Sequence, residues 1–423
     1  MGRLSGAAKP INQLLNQLRP GQTVYLPGAS GEVVALGKAL RDDPARAVGV
    51  HFIGCLVPGM NEVADYAGLA EGASATTYLL PRCMRQSFVE GNVSLLPLTY
   101  HGAAMHIAGA SVDVALAHVA PPDSAGNCSL GIASDFATLV WPRARRRIMV
   151  VNPSMPRLPR ALSLPLKDAD LAITLEGAIV TAPEPAFDPV ADAIARRVAD
   201  RIPDGAHVQT GIGGAPGAIW RHLAGHRNLA LRSGMANDGF RLLAEAGALD
   251  PKADHVAGIA YGSADFYEWL RQSDAVRFAS TLETHSIPAL SQVPKLHSIN
   301  GALGVDLFGQ ANVEWQGMAL SSGVGGGPDF MRGAACSPGG RSILAMPSTA
   351  RGGAISRIVV RLDHPTIGIA RSDVDTVVTE HGVAELRDKS LDQRADALIA
   401  IAAPQFRDGL ADGWRALRSS FAG

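Results

Sequence analysis

Short apolar, β-rich runs recur along the chain with Ala- and Leu-rich helical stretches between them, and this alternation narrows the fold more than any other feature. The first series is TVYLP (23–27), AVGVHFIG (47–54), VDVALAHVA (112–120), RIMVVN (147–152) and LAITL (171–175), with GEVVALGKALRD (31–42) as one of the helical stretches. The second is HVQTGIG (207–213), NLALRSG (228–234), VAGIAYG (256–262), VRFAS (276–280), LHSIN (296–300), SILAMP (342–347), RIVVRL (357–362) and TVVTEHG (376–382). Strands that alternate with helices pair in parallel, because a parallel crossover needs a helix-length connection. The runs are apolar almost throughout, as strands covered on both faces are. The expected fold class is α/β, with open parallel sheets.

The seam between the two series is TAPEPAFDP (181–189). Pro183, Pro185 and Pro189 favour extended backbone there. Asp188 is a good N-cap and Pro189 suits the first helical position. Val190, Ile194, Val198 and Ile202 follow four apart and predict one apolar helical stripe. The expectation is two α/β domains, 1–183 and 184–423, which suits 423 residues at about 100–200 per domain.

Several function classes are excluded early. The net charge is −1, so nothing draws the chain to nucleic acid or an acidic membrane. RARRR (143–147) is basic but lacks interleaved aromatics, and reads as a solvated edge. Cys55, Cys83, Cys128 and Cys336 form no Cys-x-x-Cys pair, which argues against disulfides and zinc and suits a reducing cytoplasm. His101 and His106 do not have a metal-ligand helix spacing, and no metal is expected. The stretch MGRLSGAAKP (1–10) lacks the apolar core of a signal peptide, and no run approaches the roughly 18 apolar residues of a membrane span. The expected location is the cytoplasm.

Two glycine loops follow strands. TGIGGAPG (210–217) lacks the third glycine of a dinucleotide fingerprint, and the segment from Gly31 to Lys38 has the wrong spacing for a Walker loop, with Ala39 where a magnesium-binding hydroxyl belongs. SSGVGGGPDFMRGA (321–334) carries Gly323, Gly325, Gly326 and Gly327. Such loops let backbone N–H groups face a negative oxygen, although a tight turn explains either of them equally well. A third segment, LALRSGMANDG (229–239), runs from an apolar strand into a loop where Ser233 and Gly234 sit without an adjacent base. No Gly-x-Ser-x-Gly elbow is present.

These stretches together resemble the acetyl-CoA hydrolase/transferase family, which includes 4-hydroxybutyrate CoA-transferase. The likeness spans nearly the whole chain: VAPPDSAGNCSLG (119–131), VNPSMPR (151–157), DGAHVQTGIGGAP (204–216), INGALGVDLFGQANVE (299–314), SGVGGGPDFMRGA (322–334), PSTARGGAISRIV (347–359) and the segment 374–407. The resemblance implies two similar open parallel-sheet domains of the CoA-transferase type, the second carrying the loops of interest. It implies coenzyme A, as an acyl-CoA substrate, with a small carboxylic acid or water as second substrate, and a homodimer. The family's reaction runs through a glutamate that attacks the thioester and ends as a glutamyl-CoA, by ping-pong covalent catalysis.

The chain departs from that pattern where the chemistry sits. The family reads roughly His-Thr-Glu-Met and then Ser-Asp-Gly; here the residues are Arg232, Ser233, Gly234 and Met235, then Asn237, Asp238 and Gly239. Gly234 holds the glutamate position. Gly327 stands where the family has glutamine, and Ala403 where members often carry histidine. Three outcomes follow: direct attack on the thioester by water or a second substrate, a relocated carboxylate, or an inactive CoA-ester-binding homologue. Gly325 and Gly326 are the expected oxyanion donors. Glu380, with His381, is a candidate acid or base whose structural reading is simpler; Glu314 and Glu283 are further candidates. Glu62, Asp123 and His118 read as surface carboxylates and a core histidine. Asn300, Gly323, Gly327, Arg341, Arg351 and Arg357 are the expected CoA contacts, and Arg232 and Met235 the expected acyl contacts, Arg232 by pairing a substrate carboxylate.

Overall fold

The computed structural model describes residues 10–184 and 186–422; Pro185 of the seam and residues 1–9 of the N-terminal stretch lie outside them. The chain forms two compact units. One runs to Leu98 and adds Gly102–Ala182 and Gly258–Thr281; the other comprises Thr99–His101, Pro183–Ala257 and the chain from Leu282. The contiguous split 1–183 and 184–423 therefore misses two exchanges. Residues 258–281 belong with the first unit because their backbone is tied there: Gly262 O accepts from Ala182 N at 2.9 Å and Phe278 N donates to Arg160 O at 3.0 Å. Thr99–His101 belong with the second, where Tyr100 N donates to Gly325 O at 3.2 Å. Pairings so distant in sequence leave no mark on local composition.

The first unit holds a seven-stranded sheet: β1 (Thr23–Tyr25), β2 (His51–Ile53), β3 (Ser74–Thr77), β4 (Val93–Leu95), β5 (Val114–Val119), β6 (Arg146–Val151) and β7 (Leu171–Thr174). The order is β4-β3-β2-β1-β5-β6-β7, and every pairing is parallel. All six residues of β5 are buried, which is why the run 112–120 shows no polar alternation.

The second unit begins with α1 (Pro189–Ala199). Asp188 caps it, its Oδ1 accepting from Val190 N at 2.9 Å and Ala191 N at 3.3 Å. Ile194, Val198 and Ile202 are buried as the stripe predicts, whereas Val190, in the first turn, is 37% exposed. The sheet comprises β8 (His207–Thr210), β9 (Ala230–Leu231), β10 (Leu296–Asn300), β11 (Arg341–Ala345), β12 (Thr376–Thr379) and β13 (Gly382–Glu385), in the order β9-β8-β10-β11-β12-β13. Only β13 is antiparallel, folding back on β12 as a hairpin. Two further helices matter below: α2 (Asp238–Glu245) after the 232–237 loop, and α3 (Gly327–Cys336) after the glycine loop. No helix among the described residues is long and apolar enough to cross a membrane.

Replacing Asp188 by Ala removes both cap bonds from α1. The expected result is a loss of about 1 kcal/mol of unfolding free energy with the fold retained, read from urea denaturation.

Candidate active site

The second sheet places most of the sequence candidates on its carboxyl edge. From β8 the chain steps outward to β9, then returns to β10 on the other side of β8. Between β8 and β10 the winding therefore reverses, which in open α/β sheets is where ligands bind, beyond the carboxyl ends of the strands. Gly211 follows β8 and Asn300 ends β10 at this point. A Cβ on residue 211 would lie 2.6 Å from Asn300 Oδ1, so glycine is what lets the two strand ends approach. Asn300 sits in a buried polar cluster. Its Nδ2 donates to Ser298 Oγ at 2.9 Å and to Gln209 Oε1 at 3.1 Å, and its Oδ1 accepts from Gln209 Nε2 at 3.2 Å. Ser298 Oγ donates to Gln209 Oε1 at 2.6 Å. These bonds fix the asparagine's amide plane.

The glycine loop enters α3 beside this cluster. Gly325 has φ +69°, a backbone conformation that favours glycine. Its carbonyl accepts from Tyr100 N, and Asp329 in the first turn of α3 accepts from His101 N at 2.9 Å through Oδ2. Burial pushes the Asp329 carboxyl up. A Cβ on Gly327 would come within 3.6 Å of Asn300 Oδ1. Gly323 is buried within the loop.

Gly234 and Gly326 meet at a side chain that sequence reasoning passed over, His285. A Cβ at 234 would lie 2.9 Å from His285 Cε1 and 3.0 Å from Nε2; a Cβ at 326 would lie 2.6 Å from Nε2. The imidazole stacks on Tyr100 at 5.0 Å between centroids and meets the edge of Phe330 at 4.6 Å. Its Nδ1 is 2.9 Å from Thr284 Oγ1. The residue is 5% exposed, and burial, with a further push from His101, brings its pKa down to about 3. The ring is therefore neutral at neutral pH. Nothing in LETHSIP (282–288) signals this role, since no motif or spacing attaches it to residues 50 positions away.

The remaining candidates divide. Glu380 follows β12, where its Oε1 accepts from Ser348 Oγ at 2.6 Å and its Oε2 from Ser348 N at 2.9 Å, so it braces the loop after β11. Arg357 lies on the same edge: its Nη1 donates to Ala302 O at 3.5 Å, and burial lowers its pKa against the pull of Glu380. Arg341 starts β11, three residues before the Leu344 that pairs with Asn300, and so lies at the amino end of the sheet. Arg351 is exposed in a turn with φ +50°. Arg232 follows β9, where its backbone N donates to Val208 O at 3.1 Å. Ser233 is 1% exposed and its Oγ accepts from Met235 N at 3.3 Å, closing the turn. Glu314 is buried and shifted up; Glu283 lies in the short helix before His285. In the first unit, Glu62 holds a loop through Gly59 N, Arg82 N and Cys83 N. Asp123 closes a turn with Arg157, and His118 is a core histidine between Gly31 O and Asn152 Nδ2, its pKa pushed down to about 4 by burial. Among the described residues no group of His, Cys, Asp and Glu clusters as metal ligands.

Known proteins align with this arrangement. Residues 262–413 match the acetyl-CoA hydrolase/transferase C-terminal domain. The 4-hydroxybutyrate coenzyme A transferase of Clostridium kluyveri is 32% identical over 96% of both chains. RipA from Yersinia pestis superposes with a TM-score of 0.89 at 26% identity, covering 97% of each chain. A 4-hydroxybutyrate CoA-transferase from Porphyromonas gingivalis does so with a TM-score of 0.79 at 27% identity, again over 97% of each.

Two outcomes test this geometry. Asn300→Ala strands Gln209 and Ser298 inside the sheet, and is expected to cost about 1–3 kcal/mol in urea unfolding. The imidazole of His285 titrates near 6.5 when unfolded and near 3 when folded. The unfolded chain therefore takes up the proton first, and its neutral-form stabilisation, full above about 6.5, is lost as pH falls toward 3. Measured against His285→Phe, the wild-type chain should lose about 2 kcal/mol between about pH 7 and pH 5.

Proposed function

The chain belongs to the acetyl-CoA hydrolase/transferase family, and we propose that it hydrolyses a short-chain, hydroxy- or dicarboxylic acyl-CoA by direct attack of water on the thioester. The observation that carries this reading is at Gly234. A residue without a side chain forms no anhydride and no glutamyl-CoA, and the edge of the His285 ring lies 2.9–3.0 Å from where its Cβ would be. The covalent route of the family has no starting atom at this position.

The rest of the machinery suits a thioester carbonyl. The first N–H groups of a helix have no partners within the helix and stabilise negative charge. Gly326 and Gly327 open α3 in this way, and Gly325 turns the chain into the helix. In this reading those N–H groups receive the oxyanion that forms when water adds to the carbonyl carbon. Donors of this kind contribute about 2.7–4 kcal/mol each to a transition state. Asn300, with both amide hydrogens given to Gln209 and Ser298, has only a lone pair of Oδ1 to offer a donor of the substrate. Arg357 is the favoured partner for the phosphates or the pantetheine carbonyls of coenzyme A, with Gly323 shaping the loop. Arg341 starts β11 at the amino end of the sheet and Arg351 lies in an exposed turn, so neither carries weight here.

The expected result is release of free thiol from one or more acyl-CoAs in a short-chain panel without any added carboxylate. Added acetate should leave the rate unchanged and yield no acetyl-CoA by mass spectrometry. Acetate-dependent exchange without net thiol would mean a transferase with a nucleophile elsewhere.

A further inference from the structure

The His285 imidazole occupies the volume that a side chain at 234 would need, and it does so in a fixed pose. Tyr100 stacks on one face, Phe330 meets the ring from the side, and Thr284 Oγ1 binds Nδ1. The opposite nitrogen, Nε2, faces both Gly234 and Gly326. Among the described residues Nε2 has no hydrogen-bond partner, and the residue keeps 5% of its surface exposed. A ring nitrogen beside two glycines, with the other nitrogen anchored, is the arrangement of an oriented base.

We infer that His285 supplies the chemistry that Gly234 lacks: its Nε2 holds the attacking water between the two glycine loops and takes a proton from it as the carbon–oxygen bond forms. The inference rests on the hydrolase reading above. The carbonyl π pair moves to the oxygen facing Gly326 and Gly327. Collapse of the tetrahedral intermediate restores the carbonyl and breaks the carbon–sulfur bond, and the electron pair leaves on sulfur. The imidazolium then returns its proton to the CoA thiolate. The sum is acyl-CoA plus water giving the free acid plus CoA thiol, with no other reactant.

The tautomer this requires carries its proton on Nδ1, donating to Thr284 Oγ1 and leaving the Nε2 lone pair outward. Burial keeps the ring neutral, so that lone pair is present throughout the neutral range. The same burial makes the ring a weak base, and its contribution belongs at the low end of the 10²–10⁴-fold range of general bases. The oxyanion that develops beside the ring offsets the cost of charging it. His101 opposes that charge, and Asp329 Oδ2 accepts from His101 N at 2.9 Å.

A side chain at 234 would also displace His285 from this pose, since a Cβ there lies 2.9 Å from Cε1 and 3.0 Å from Nε2. Three variants test the inference, each checked for folding by circular dichroism and for CoA binding by calorimetry. His285→Phe keeps the aromatic stack and removes both nitrogens; the expected result is a loss of about 100-fold in kcat for thiol release, with CoA affinity within about threefold. His285→Gln is expected to lose activity likewise, and carries the test if the Phe variant does not fold. Gly234→Glu with His285→Ala is expected to gain acetate-dependent CoA exchange, which Gly234→Glu alone does not. A folded Phe or Gln variant with wild-type kcat overturns the role of His285 and leaves the hydrolase reading standing. A wild-type protein that releases no thiol overturns both.

Discussion

The contact between the His285 ring and two glycines sets the terms for the rest of this site. Gly234 ends the turn after β9 and Gly326 precedes α3, and neither position has room for a Cβ beside the imidazole. Atoms inside a protein pack at crystal-like density, so a ring and a side chain do not share one volume. A side chain at 234 and the imidazole in its present pose therefore compete for one volume. The chain belongs to a family of CoA-transferases and hydrolases, and the proposal that it bypasses the covalent route rests on this contact.

That contact depends in turn on the sheet. Parallel strands β8 to β12 bring their carboxyl ends to one edge, and the reversal of winding between β8 and β10 opens it at Gly211 and Asn300. The polar cluster of Gln209, Ser298 and Asn300 is fully bonded within itself, so it costs little to bury and holds one geometry. Glu380 performs a similar service for the loop after β11 through Ser348. Its carboxylate is committed to two donors, which explains a conspicuous strand-end glutamate without giving it a catalytic task.

Much of this was legible in the sequence. The apolar runs gave strands, the Asp188–Pro189 pair marked a helix start, and the long motifs gave the family. The positions of Asn300 at a strand end and of Gly325 and Gly326 in a loop before a helix were legible because glycine loops and strand ends have recognisable spelling. Three things were not. The exchange of segments 99–101 and 258–281 between the units is a matter of distant backbone pairing. The place of Arg341 at the amino end of β11 depends on strand register, which a list of basic residues does not carry. His285 was invisible because its meaning lies in what it touches. An isolated histidine before a short helix spells nothing until the loops of 234 and 326 close on it.

The central claim is that no acyl-enzyme or CoA-enzyme bond forms. Its most direct test is the intact mass of the protein, quenched within one turnover of an acyl-CoA it consumes. The account predicts the unmodified mass at every time point while free CoA accumulates. A protein species heavier by one CoA, or by one acyl group, would contradict it.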